Sequence, residues 1–145
     1  MTQEPLSKHT YLGIGGPAEY YTEVRDQNTF AAVLDYCRER QLPMLVVGEG
    51  SNLLVSDTGV PGLVIHNACQ KLRDLGCGRL QADSGVLMGQ LAHWSANRGY
   101  RGLEFGVGIP GSVGGSVFGN AGCFGTEISQ VLESADMWTS DGVQS

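Results

Sequence analysis

A chain of 145 residues, 41% apolar and 17% charged, carries enough apolar material for a folded core and is not a disordered polyelectrolyte. Its formal net charge of −6, with no cluster of Lys or Arg, argues against nucleic acid or an anionic membrane surface as partner. No apolar run reaches the roughly 18 residues of a membrane span. The N-terminus MTQEPLSKHT lacks a signal-peptide core, so the expected compartment is the cytoplasm.

The four cysteines (Cys37, Cys69, Cys77, Cys123) show no C-x-x-C spacing and are expected as reduced thiols. His9, His66 and His93 stand apart in sequence, which gives no basis for a metal site.

In chain order, YLGIGGPA predicts a short extended segment ending in a tight turn at Gly15-Gly16-Pro17. The alternation in EYYTEV, residues 19–24, predicts a strand. Asn28 is the expected N-cap of a helix running to about Arg40, with Phe30, Val33, Leu34 and Cys37 on its buried face. Leu42-Pro43 stops it. MLVV (44–47) reads as an apolar strand, Leu53 to Val55 resumes the apolar pattern, and GLVIH (62–66) reads as another strand.

Between them lies Gly48-Glu49-Gly50-Ser51-Asn52. A glycine- and hydroxyl-rich turn there can gather N–H groups into one concavity suited to a diphosphate. Glu49 would repel that anion unless its side chain faces away. An ordinary β-turn is the competing reading.

Residues 67–78 read as a polar connector and residues 79–83 as a strand. Residues 86–97 predict a helix with Leu87, Leu91 and Trp94 on one face, ended by Gly99. The stretch GYRGLEFGVGIPGSVGGSVFGNAGCFG (99–125) then holds 10 glycines in 27 residues and only two charges, Arg101 and Glu104. Ile109, Val113, Val117 and Phe118 are interleaved where a linker would carry polar residues. Main-chain N–H groups and the hydroxyls of Ser112 and Ser116 are what it offers a ligand, which suits a large, partly anionic cofactor.

Gly106, Gly108 and Gly111 spell G-x-G-x-x-G, yet GYRGLEF is a poor strand, Pro110 interrupts the turn, and no βαβ unit has room to follow. The P-loop pattern fails as well, because Ser112 stands where that motif needs Lys. Residues 128–139 read as a strand-pair element, with Ser140-Asp141-Gly142 as its turn. A turn without a returning strand leads to the expectation that this is the N-terminal part of a longer protein.

Three blocks, HTYLGIGGPAEYY, GEGSNLLVSD and GLEFGVGIPGSVGGSVFGNAGCFGTEI, together resemble the UDP-N-acetylenolpyruvoylglucosamine reductase family in order and spacing, from about His9 to the last residue. The resemblance implies an α+β FAD-binding fold of the vanillyl-alcohol oxidase type, with two small α+β subdomains (1–67 and 68–145) and a separate C-terminal substrate domain that is missing here. It implies that Gly48, Glu49, Gly50, Ser51, Asn52 and Leu53 cradle the FAD pyrophosphate. Ile109, Pro110, Gly111, Gly114, Gly115 and Ser116 would line the flavin, with Asn120 and Gly122 nearby.

The implied activity is FAD-dependent, NADPH-driven reduction of UDP-N-acetylglucosamine enolpyruvate to UDP-N-acetylmuramate, a step of peptidoglycan precursor synthesis. Small molecules are the implied partners, with no nucleic acid, membrane or obligate protein partner. Cys123-Phe124 stand where the family often has Ala-Tyr, so a tyrosine contact to the substrate nucleotide is missing. The family's arginine, serine acid and late glutamate match nothing in this chain, so no catalytic residue is carried over. The chain alone is expected to lack turnover and to hold FAD weakly. The alternatives are another flavin oxidoreductase of the same fold, whose flavin is often covalently attached, and a non-catalytic flavin-binding fragment.

Overall fold

The computed structural model describes residues 1–139 and 142–144. Four strands form the main sheet: β1 (Thr2–Pro5), β2 (Pro17–Val24), β3 (Met44–Val47) and β4 (Val60–Asn67), in the order β1-β2-β4-β3. β1 pairs antiparallel with β2, whereas β2, β4 and β3 run parallel. Helix α1 (Gln27–Glu39) connects β2 to β3.

Successive side chains of a strand face opposite sides of its sheet, and β4 shows this cleanly. Val64 packs with Leu6, Ala18, Tyr21 and Val47 on one side. Ile65 packs with Val24, Leu34 and Cys37 on the other, under α1. Phe30 and Val33 join that second cluster, so the helical face read from the sequence is the buried one. Trp138 packs there too, bringing the far end of the chain back onto α1.

The helix starts earlier than the sequence suggests. Asp26, not Asn28, is the N-cap, because its carboxylate accepts from Thr29 N at 2.9 Å. Residues 53–55 form no strand. Residues 11–13 turn or bend instead of forming an extended segment, and 14–16 are irregular chain leading into β2, so Pro17 starts a strand instead of closing a turn. The polar connector contains β5 (Leu72–Gly76), which pairs antiparallel with β6 (Arg79–Ala82). Gly76, Cys77 and Gly78 all adopt positive φ in its turn.

Helix α2 (Met88–Ala96) buries Met88, Leu91 and Ala92, while Leu87 sits exposed at its N-cap instead of on that face. The glycine-rich stretch is ordered structure. It comprises a 3-10 turn (Glu104–Gly108) and a short helix α3 (Val113–Phe118). Met88, Phe105 and Ile128 form a third core cluster, against which Ile109, Val113 and Val117 pack.

Two small ribbons follow: β7 (Gly122–Cys123) with β8 (Thr126–Glu127), then β9 (Met137–Thr139) with β10 (Gly142–Gln144). The expected strand pair over 128–139 is instead a 3-10 turn (Ile128–Gln130), irregular chain, and β9. A returning strand does exist, since Gln144 pairs with Met137. Ser140 and Asp141, the first two residues of the expected turn, lie outside the described residues.

Candidate functional site

In parallel sheets, ligands collect beyond the carboxyl ends of the strands. The loop 48–53 leaves the carboxyl end of β3 at the sheet edge. Gly50 has φ +64°, and a Cβ there would lie 2.0 Å from the His9 carbonyl oxygen, so only glycine fits. Its own carbonyl accepts from Tyr11 N at 3.0 Å, fastening the loop to the chain that precedes β2.

The second loop, 109–112, meets the first directly. Ser51 Oγ donates to the Pro110 carbonyl at 3.1 Å. A Cβ on Gly111 (φ +106°) would lie 2.4 Å from Ser51 Oγ, and one on Gly48 would lie 2.2 Å from Ser112 Oγ. Two glycine-lined bends thus meet with only the small side chains of Ser51 and Ser112 between them, while Asn52 and Pro110 stay exposed at their rim.

Buried or half-buried main-chain N–H groups ordinarily find partners. Several in these loops do not. Among the described residues, the N–H groups of buried Gly50 and Ser112 and of half-buried Ser51 and Gly111 donate to nothing, as do those of exposed Glu49 and Asn52. Ser112 is buried, and its neighbours on either side are engaged: Gly111 O accepts from Met88 N and Val113 N donates to Val86 O.

Farther along the stretch the accounting differs. Gly114 N donates to Ser84 O at 2.7 Å, Gly115 N to Ser112 Oγ at 3.3 Å, and Ser116 N to Ser112 O at 2.9 Å. These three residues therefore offer close-packed surface, with no free amides. Ser116 is buried as well. Asn120 Oδ1 accepts from Ser129 N in the 3-10 turn that follows β8, and Gly122 pairs with Glu127 in the β7–β8 ribbon, so both are engaged within the fold.

Glu49 is turned toward β4, with Oε1 3.8 Å from His66 Nε2. Sequence reasoning set His9 and His66 aside as isolated and read Tyr21 only as part of a strand, so it assigned none of them to the site. His66 Nδ1 lies 3.1 Å from Tyr21 Oη, which lies 3.1 Å from His9 Nδ1, and His9 Nε2 lies 3.1 Å from Glu4 Oε1. Burial pushes the Tyr21 phenol up to about 12, with the Glu23, Glu4 and Glu49 carboxylates adding to the shift. The bond from His9 holds the Glu4 carboxyl below the usual carboxylate range, aided by Lys8.

All four cysteines are free thiols, and burial raises Cys37 and Cys69. Among the described residues no group of three or more His, Cys, Asp or Glu could hold a metal ion. No described helix is long and apolar enough to cross a membrane.

The FAD binding domain family matches residues 18–144. Among curated relatives, UDP-N-acetylenolpyruvoylglucosamine reductase of Heliobacterium modesticaldum is 41% identical over 143 residues, covering 98% of this chain and 46% of the relative. The protein of that name from Listeria monocytogenes is 37% identical over 139 residues, covering 96% of this chain and 47% of the relative. The crystal structure of UDP-N-acetylenolpyruvylglucosamine reductase from Thermus caldophilus superposes with a TM-score of 0.77 at 33% identity. The match covers 97% of this chain and 49% of that one. The chain spans just under half the length of the relatives it matches.

Proposed function

Because the chain belongs to the FAD binding domain family, we propose that its two glycine-lined loops hold FAD. We further propose that it serves reduction of UDP-N-acetylglucosamine enolpyruvate to UDP-N-acetylmuramate with NADPH as hydride donor. The observation that carries this is the set of unpartnered N–H groups, from Glu49 to Asn52 in one loop and at Gly111 and Ser112 in the other, with the two loops joined by the Ser51–Pro110 hydrogen bond. A diphosphate is rich in acceptors and suits a cradle of fixed amides without a lysine. At Gly48, Gly50 and Gly111 a Cβ would collide with Ser112 Oγ, the His9 carbonyl oxygen and Ser51 Oγ, so glycine there lets the two bends close on each other and on the chain before β2.

In this reading Gly48, Glu49, Gly50, Ser51, Asn52 and Leu53 surround the pyrophosphate. Ile109, Pro110, Gly111, Gly114, Gly115 and Ser116 lie along the flavin, with Asn120 and Gly122 beside it. Bound FAD supplies a reversible hydride acceptor. This chain's own residues bind and orient it, and none is assigned a catalytic role. The sheet subdomain (1–67) would present the first loop and the remainder (68–145) the second, in a cytoplasmic protein whose partners are small molecules.

Flavin fluorescence titration with FAD, repeated with ADP as competitor, tests the reading. Saturable binding that ADP displaces supports it, as does release of all yellow colour from the chain on denaturation. Colour that stays with the denatured chain would favour a covalent flavoenzyme of the same fold.

A further inference from the structure

A connected set of ionisable side chains lies behind the first loop, and the proposed cofactor contacts do not use it. Glu4 on β1, His9, Tyr21 on β2 and His66 on β4 form a single line of three contacts of 3.1 Å each. Tyr21 is 2% exposed, and the His9 ring stacks on it at 4.4 Å. His66 Nε2 is buried and has no hydrogen-bond partner among the described residues. It faces Glu49 Oε1 at 3.8 Å.

Counting hydrogens along this line fixes what His66 Nε2 carries. The ionised Glu4 only accepts, so His9 Nε2 must bear a hydrogen. Tyr21 keeps its single O–H and sits between two Nδ1 atoms, so it donates to one and accepts from the other. With His9 neutral, its Nδ1 accepts from Tyr21, and Tyr21 accepts from a hydrogen on His66 Nδ1. Neutral His66 is then bare at Nε2, lone pair against the Glu49 carboxylate. One added proton reverses this wherever it settles. On His66 it sits at Nε2. On His9 it turns the tyrosine bond around, so that His66 Nδ1 accepts and Nε2 bears the hydrogen.

We propose that Glu49 and His66 are a proton-linked pair that sets the affinity of loop 48–53 for a diphosphate. With the extra proton, the Glu49 charge is compensated and its side chain is drawn toward β4. Without it, an uncompensated carboxylate stands in the loop that receives an anion. Other groups facing His66 are Glu23 (Oε2 3.5 Å from Nδ1), itself bonded to Arg25 at 2.6 Å, and the His9 ring at 6.3 Å. Lys8 reaches only Glu4, at 3.5 Å. None of these comes between Nε2 and Glu49. The affinity claim rests on loop 48–53 being the diphosphate cradle; the proton relay does not.

FAD and ADP affinities measured from about pH 5.5 to about pH 8.5 test it, alongside long-range proton–nitrogen spectra of the histidine rings. The wild type should lose about fivefold in affinity as pH rises across that range. Glu49→Gln should hold the tighter value throughout, and His66→Gln should be flat at the weaker value. In the wild-type spectra, the His66 Nε2 resonance should move from the N–H to the bare-nitrogen position over the same interval. A wild-type slope retained by Glu49→Gln overturns the affinity claim, and an unmoving Nε2 resonance overturns the relay. Absence of FAD and ADP binding at every pH would instead remove the cradle, and the nitrogen resonance would still decide the relay.

Discussion

The Ser51 hydroxyl donates to the Pro110 carbonyl at 3.1 Å, joining two loops that lie 59 residues apart in sequence. One loop leaves the main sheet and the other belongs to the glycine-rich stretch, so this bond helps hold the free amides of both loops in one place. Ser51→Ala should cost about 1 kcal/mol of stability in urea unfolding, the usual net value of such a bond. FAD affinity should fall several-fold in the same variant, because the amides of the second loop lose their registry with those of the first.

Glycine substitutions should sort by what a methyl group would meet. Gly50→Ala combines φ +64° with a Cβ 2.0 Å from a backbone oxygen, and should destabilise the fold by about 3 kcal/mol or more. Gly13→Ala has a similar φ of +67° but open space around it, and should cost only about 1 kcal/mol. Gly111→Ala presses on the Ser51 hydroxyl and should weaken FAD binding more than it lowers stability. Denaturant midpoints alongside flavin titrations separate these outcomes.

Tyr21 ties β2 to both histidines, and Tyr21→Phe should cost about 1–2 kcal/mol by leaving ring nitrogens without a partner. The phenol's folded value, about 12, lies above its ordinary 10. Its contribution to stability is therefore complete below about pH 10 and is lost as pH rises from there through about 12. Unfolding midpoints measured against pH should fall more steeply above about pH 10 in the wild type than in Tyr21→Phe, which keeps only the alkaline loss that the raised Cys37, Cys69 and Tyr100 contribute.

Thiol labelling reads the core directly. Cys77 is exposed in the β5–β6 turn and should react fast with a chromogenic disulfide reagent, with half-buried Cys123 slower. Cys37 and Cys69 are buried, with thiols raised by desolvation, and should react only as the protein unfolds. Rapid labelling of all four in native buffer would contradict the packing described under α1.

Local pattern carried much of this fold, and its failures have local causes. The face Phe30, Val33, Leu34, Cys37 was readable because one helical periodicity serves one packing surface. Asp26 and Asn28 are equally good caps by residue type, and only the reach of Asp26 to Thr29 N decides between them. The β5–β6 hairpin hid behind polar residues and a turn with Cys77 at φ +53°, a position usually left to Gly or Asn. Glycine density disclosed both loops. Their contact through Ser51 and Pro110 is tertiary, and so is the line His9–Tyr21–His66, whose members share no spacing that a sequence pattern can register. Engagement of the Gly114, Gly115 and Ser116 amides inside the fold was likewise invisible to a count of glycines.

Main-chain amides of two touching bends are proposed to grip a flavin nucleotide, and proton–nitrogen correlation spectra of the chain titrated with FAD test this residue by residue. The largest shifts should fall at the amides of Ser51, Asn52, Gly111 and Ser112, moving together along one binding curve. Shifts concentrated elsewhere, such as around Lys71 just before β5 and Arg73 within it, or no shifts at saturating FAD, would overturn the proposal.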